Sequence, residues 1–126
     1  MSRAFEHLQG HQFINLTTYR KNGQPVVTTV WFAHDGDRLV GTTLQHAGKI
    51  KRLRHTPSVN VAPSTFDGKT LGEAVAGLGR LLPPEEAEAA QTALRAKYGE
   101  RYDQVTARTD SNNVRVFWEI RPQHPA

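Results

Sequence analysis

The chain has 126 residues, enough for one domain with one hydrophobic core and too few for two domains of ordinary size. Sixteen lysines and arginines stand against twelve acids, a formal charge of +4, and the absence of cysteine excludes disulfides, thiolate metal sites and a cysteine nucleophile. The opening MSRAFEHLQGHQ carries no apolar core of signal-peptide length and no run approaches a membrane span, so the expectation is a soluble cytoplasmic protein whose NLT triplet at Asn15 is never glycosylated.

FINLTTYR, residues 13–20, is rich in β-branched and aromatic residues and predicts the first strand. Asn22-Gly23 is a hairpin signal that turns the chain into PVVTTVWFA, 25–33, and Asp35-Gly36 makes a second turn into RLVGTT, 38–43. A short basic segment, AGKIKRLR, follows at 47–54 and is taken as a helix. SVNVAP, 58–63, and TLGEAVAGLGRLL, 70–82, predict two more strands around an Asp67-Gly68 turn. Within the second of these, Gly72, Gly77 and Gly79 imply bending or close backbone approach. PPEEAEAAQTALRAKYG, 83–99, is the clearest helix. Proline opens it, Glu85 and Glu86 sit in its first turn, Arg95 and Lys97 in its last, and Gly99 closes it. Ala87, Ala90, Leu94 and Tyr98 give it one apolar face. After a polar stretch ending in SNN, VRVFWEIR at 114–121 predicts the last strand, with Val114, Val116, Trp118 and Ile120 on one face.

Six strands and two main helices in this order make an α+β chain, one domain with its core over residues 13–121. Six antiparallel strands in one domain curl into a closed or split barrel, because closure removes exposed edges. There are no repeats and no low-complexity segment.

The positive charge is local. Lys49, Lys51, Arg52 and Arg54 fall within six positions, with no acid among them, and equal the whole net excess. A local patch points to a defined anionic partner rather than to general adhesion. On a helix, Ile50 and Leu53 form an apolar ridge, with Lys49 and Arg52 on one flank and Lys51 and Arg54 on the other. The helix starts just after a strand end that offers the hydroxyls of Thr42 and Thr43. Free amides at a helix N-terminus favour phosphate, and hydroxyls with a lysine one turn away complete what a phosphate ester requires. A tail carrying further carboxylates could run along the remaining bases.

A second feature is TTVWF, in which Thr29 and Trp31 share one strand face and Val30 and Phe32 the other. Taken alone, Trp31 reads first as a core residue. Read functionally, its ring and the strand backbone border a flat aromatic ligand. His34, His46 and His55 show no spacing of a metal motif and read as surface histidines. The three glycines are not followed by a helix in a βαβ unit, so they are no dinucleotide loop.

The order TTYRKNGQPVVTTVWFA, DRLVGTT, GKIKRLRHTPSVNVAP and GEAVAGLGRLL, within residues 13–121, resembles the pyridoxamine-phosphate-oxidase-like split-barrel flavoproteins, and more narrowly their branch that uses the deazaflavin coenzyme F420. The resemblance implies an oxidoreductase passing a hydride between F420 and a small organic substrate, and a homodimer with a cofactor at each end of its interface. It implies that the strand carrying Thr28, Thr29, Val30 and Trp31 borders the ring system. Thr42 and Thr43 would face the ribityl and phosphate region, and Gly48, Lys49, Lys51 and Arg52 would receive the phosphate and acidic tail. No catalytic residue is assigned, because the hard chemistry belongs to the cofactor. Two positions depart from many relatives: Val30 stands where they have proline, and Ala47 often where they have serine, which removes a helix cap and a phosphate ligand.

Three rivals remain at this stage. FMN in place of F420 keeps the fold but ends in one phosphate, whereas four bases suit a longer anionic tail. A non-catalytic carrier of a flavin-like or tetrapyrrole ligand is the second. The third, a basic barrel for single-stranded nucleic acid, would interleave exposed aromatics with bases along its strands, which this chain does not do. Phe117 and Trp118, pointing to opposite faces of the last strand, add an argument for a dimer that buries both.

Overall fold

The structure, a computed structural model, describes residues 5–45, 47–107 and 114–123. Its strands are β1 (Phe13–Tyr19), β2 (Pro25–Val30), β3 (Ala33–Asp35), β4 (Arg38–Leu44), β5 (Ser58–Ser64), β6 (Val75–Leu82) and β7 (Arg115–Pro122). Its helices are α1 (Gly48–His55), α2 (Ala87–Tyr98) and α3 (Glu100–Thr106), with single 3-10 turns at Glu6–Leu8 and Pro84–Glu86.

All paired strands run antiparallel, in the order β2-β1-β5-β6-β7-β4-β3. The two ends of that order, β2 and β3, are consecutive in the chain, with only Trp31 and Phe32 between them. A flat sheet of seven strands would be about 29 Å wide, at ~4.8 Å per strand step. The link from Val30 to Ala33 can span at most about 11 Å. The sheet therefore curls until its ends meet, which is the expected α+β split barrel.

Sequence and structure differ at three places. The strand predicted over 25–33 is two strands, because the Tyr98 hydroxyl occupies the backbone of Phe32, accepting from its N–H at 3.0 Å. The strand predicted from 70 begins at Val75, and residues 65–71 fold back in a turn where Leu71 N–H donates to Pro63 O. A third helix, α3, follows Gly99, whose φ of +60° stops α2 and lets the chain start again at Glu100. The SNN stretch lies outside the described residues.

The barrel interior holds Ile14, Leu16, Leu39, Val59, Val61, Trp118 and Ile120, closed at one end by Leu53 of α1 and elsewhere by Phe5 and Leu8. Gly41 is there because the Trp118 indole lies against its backbone, and any Cβ would overlap the ring. Gly79 likewise admits Leu53, whose Cδ2 would sit 2.9 Å from an added Cβ. A second core lies outside the barrel, where Ala90, Leu94 and Tyr98 of α2 and Tyr102 of α3 cover Ala33, Val40 and Leu82, with Phe117 packed beside them. Both faces of β7 are thus covered within one chain, so burial of Phe117 and Trp118 makes no demand for a second copy.

The same outer face carries Glu119, 1% exposed. Burial would raise its pKa, but hydrogen bonds from Arg38 (2.8 Å), Arg80 (2.5 Å) and Arg121 (3.2 Å) hold the carboxyl below its usual range. The other half of the exterior is different. Along β2, β1, β5 and β6 the outward row Val27, Thr17, Asn60, Ala76 and the neighbouring Tyr19 and Leu78 carry no charge. Val27 is 58% exposed. No helix among the described residues is long and apolar enough to cross a membrane.

Candidate functional site

Helix α1 buries Ile50 and Leu53 and exposes Lys51 and Arg54, as its spacing predicts. At its start, Ala47 is extended (φ −64°, ψ 143°) and makes no side-chain cap. The helix's N-terminal amides are therefore not occupied by their own N-cap side chain. Lys49 and Arg52, on one flank, reach different strands. Lys49 Nζ donates to Thr43 Oγ1 of β4 at 3.3 Å, and Arg52 Nε donates to Thr18 Oγ1 of β1 at 2.6 Å.

Between α1 and the β1–β2 hairpin lies a cleft of about 410 Å³. Gly48, Lys51, Arg52 and His55 line it from the helix, and Tyr19, Arg20 and Lys21 from the hairpin. No carboxylate lines it among the described residues. None of Arg20, Lys21, Lys49, Lys51 and Arg52 pairs with an acid among the described residues, whereas Arg38, Arg80, Arg95 and Arg121 all do. Burial first, and then repulsion from Arg20, lower the Arg52 pKa. Burial, followed by repulsion from Arg52 and Arg115, lowers that of Lys49. Like charges forced together without a counter-ion form a site that a bound anion stabilises.

The sequence-predicted residues divide. Gly48, Lys51 and Arg52 line the cleft, and Lys49 meets Thr43 beside it. Thr42 does not join them, because neighbouring residues on a strand face opposite ways. Its hydroxyl donates to Val116 O at 2.9 Å, away from Thr43. Thr28 faces inward with Oγ1 3.5 Å from Leu16 O, and Val30 packs in the core. Thr29 Oγ1 donates to Asn15 Oδ1 at 2.7 Å on the outer face, and Asn15 in turn holds the 65–70 turn through Gly68 O.

Trp31 is half-buried, stacked on Tyr98 with ring centroids 4.1 Å apart and planes 6° from parallel. Val30 pairs with Ile14, and the cleft wall begins at Tyr19 on the same strand. Five strand steps separate Ile14 from Tyr19, roughly 17 Å at ~3.4 Å each. A molecule touching both has to extend along the strand from one to the other.

Tyr19, Arg20, Lys21 and His55 belong to the cleft but were not predicted. Arg20 and Lys21 stand in plain view in YRKNG, but only the packing of α1 against β1 brings them to Arg52. His34 is a structural residue, its Nε2 2.9 Å from Phe5 O, and His46 lies outside the described residues. No group of three metal-ligating side chains occurs among the described residues.

The family model described as "Pyridoxamine 5'-phosphate oxidase" matches residues 2–124. Among solved structures, a FAD-binding protein from Mesorhizobium loti is similar, with TM-score 0.71 and 19% identity over 98% of this chain and 90% of that one. The heme storage protein HutZ from Vibrio cholerae has TM-score 0.71 and 12% identity over 94% and 87% of the two chains. An F420 reductase has TM-score 0.62 and 24% identity over 97% and 94%. At these identities the likeness is one of fold. No curated protein matches the sequence.

Proposed function

The chain belongs to the pyridoxamine 5'-phosphate oxidase family, a family of split-barrel oxidoreductases that bind flavin-type cofactors, and from that premise we propose that it binds coenzyme F420 and passes a hydride between it and a small organic substrate. The observation that carries this reading is the uncompensated cationic cleft between α1 and the β1–β2 hairpin. F420 continues past its phosphate into glutamates. Lys49 and the α1 amides suit the phosphate, and Arg20, Lys21, Lys51 and Arg52 suit the carboxylates that follow. FMN offers one phosphate and would leave most of these bases without a partner. The residues present therefore fit the longer tail.

When bound, the deazaflavin supplies the hydride chemistry. The chain's part is to hold and orient. Cationic side chains fix one end, the strand from Thr28 to Trp31 borders the other, and no side chain is assigned proton transfer. The uncharged patch of Val27, Thr17, Asn60, Ala76, Tyr19 and Leu78 supports the reading of a homodimer, because a second copy would cover Val27, Ala76 and Leu78. A cytoplasmic location is part of the same proposal.

Titration of the purified protein with F420 and FMN in parallel tests it. The expected result is saturation by F420 at one per protomer, more tightly than by FMN. Tighter binding of FMN, or no binding of F420, overturns the assignment. Turnover of bound F420H2 with candidate acceptors separates an enzyme from a carrier.

A further inference from the structure

We infer that Tyr98 is the positioning residue that fixes Trp31 as a preformed wall of the cofactor-ring site. The inference rests on the reading of Thr28–Trp31 as the ring-bordering strand, and goes beyond it by naming what makes that wall rigid. Trp31 lies in the two-residue link between β2 and β3, beyond the last ladder pair of one and before the first of the other. The sheet therefore does not set its direction. Tyr98 does, by lying flat against the indole at 4.1 Å.

Tyr98 is itself immobilised. Its hydroxyl accepts from Phe32 N–H at 3.0 Å and lies 2.9 Å from Phe32 O and 2.7 Å from Gln12 O, to either of which it can donate. Burial pushes its pKa up to about 12, so the proton for that bond is retained at any physiological pH. Leu94 and Ala90, one and two turns earlier, seat the helix on the outer face of the barrel. The adjacent Lys97 places its ammonium 3.5 Å from the centroid of the Phe32 ring. Two consecutive residues of α2 thus hold two consecutive residues of the barrel corner. The stack uses one face of Trp31 and leaves the side chain half-exposed. A wall ordered before the ligand arrives removes an entropy cost from binding.

The alternative is that Tyr98 serves only to close the strand break. The two tryptophans separate these roles, since Trp31 is at the corner and Trp118 is fully buried in the barrel. In protein labelled with 5-fluorotryptophan, assigned through Trp31→Phe, F420 is expected to shift the Trp31 fluorine signal and leave that of Trp118 in place. Tyr98→Leu, which removes both stack and hydroxyl, should weaken F420 binding roughly fivefold to tenfold. It should also broaden the Trp31 signal, with the Trp118 signal unchanged as proof of an intact barrel. Tyr98→Phe restores the stack and should recover most of the affinity. Trp31→Leu keeps the Tyr98 hydrogen bonds and should lose as much affinity as Tyr98→Leu, which holds the test open if the latter disturbs the fold. The inference is overturned if F420 binds the wild type without moving the Trp31 signal, or if Trp31→Leu binds as well as wild type. In either case direct titration still reports F420 binding, so the cofactor assignment survives. No binding of F420 to the wild type removes both.

Discussion

The two halves of the barrel exterior treat charge in opposite ways. On the half covered by α2, Arg38, Arg80 and Arg121 converge on one buried carboxylate, Glu119, and two of them also meet Asp35 and Glu86. On the other half, the patch of Val27, Thr17, Asn60, Ala76 and Leu78 carries no charge, and beside it Arg20 and Arg52 repel each other with no acid paired to them among the described residues. The same side chain is thus a fastener in one place and an open valence in the other. Around Glu119 the arginines come with carboxylates. Where none comes, the partner is expected from outside.

That contrast can be broken first at Glu119. Glu119→Ala leaves three guanidinium groups converging on nothing and should cost about 3 kcal/mol of stability by urea unfolding, with the affinity of the folded protein for F420 unchanged. Because the folded Glu119 pKa is depressed, its contribution is present above the unfolded carboxylate pKa of about 4.3 and is lost as pH falls below that value. Wild type should therefore lose stability more steeply than Glu119→Gln in that acid window. Equal acid slopes would show that the three arginines do not stabilise the ionised form.

The uncharged patch comes second. Val27→Asp puts a charge into its centre and should weaken self-association about 100-fold, roughly 2.7 kcal/mol, as measured by sedimentation. An unchanged dimer, or a wild type that is a monomer, would remove this face from the account. Third is the cleft. Lys49→Ala should weaken F420 binding by about 1–3 kcal/mol, the worth of a charge-assisted hydrogen bond, while stability stays within about 0.5 kcal/mol. Loss of stability in place of affinity would put Lys49 on the fastener side of the contrast.

The smallest effect concerns Lys97, which belongs to neither class. Its ammonium faces the ring of Phe32, and burial pushes its pKa down to about 8. A lysine whose folded pKa is lowered makes stability rise with pH between about 8 and the unfolded value of about 10.4. Half-exposure keeps this rise small. Lys97→Met should flatten it, and a rise of equal size in the variant would assign it to another group.

The sequence made the barrel legible because its signals are local. Asn22-Gly23 and Asp35-Gly36 fix two hairpins, both glycines have positive φ, and Ile50 and Leu53 are buried as their spacing demands. The β2–β3 break was hidden, since PVVTTVWFA is a sound strand by composition and only Tyr98, 66 residues away, interrupts it. Helix α3 was hidden for the opposite reason: Gly99 is a true stop, and a stop says nothing of a restart. The candidate site was half legible. Lys51 and Arg52 could be read from α1 alone, but Arg20 and Lys21 come from a distant hairpin, and Thr42 was paired with Thr43 although adjacent strand residues face apart.

The most direct measurement is calorimetric titration of F420 into wild type and into Arg20→Ala/Arg52→Ala, with unfolding free energies measured on both. An uncompensated cleft awaiting an anionic tail predicts a loss of affinity of about 100-fold, two charged hydrogen bonds' worth, while stability falls by no more than about 1 kcal/mol, the worth of the Arg52–Thr18 hydrogen bond. If the double variant binds F420 as tightly as wild type, the two arginines have no external partner there and the central claim is wrong.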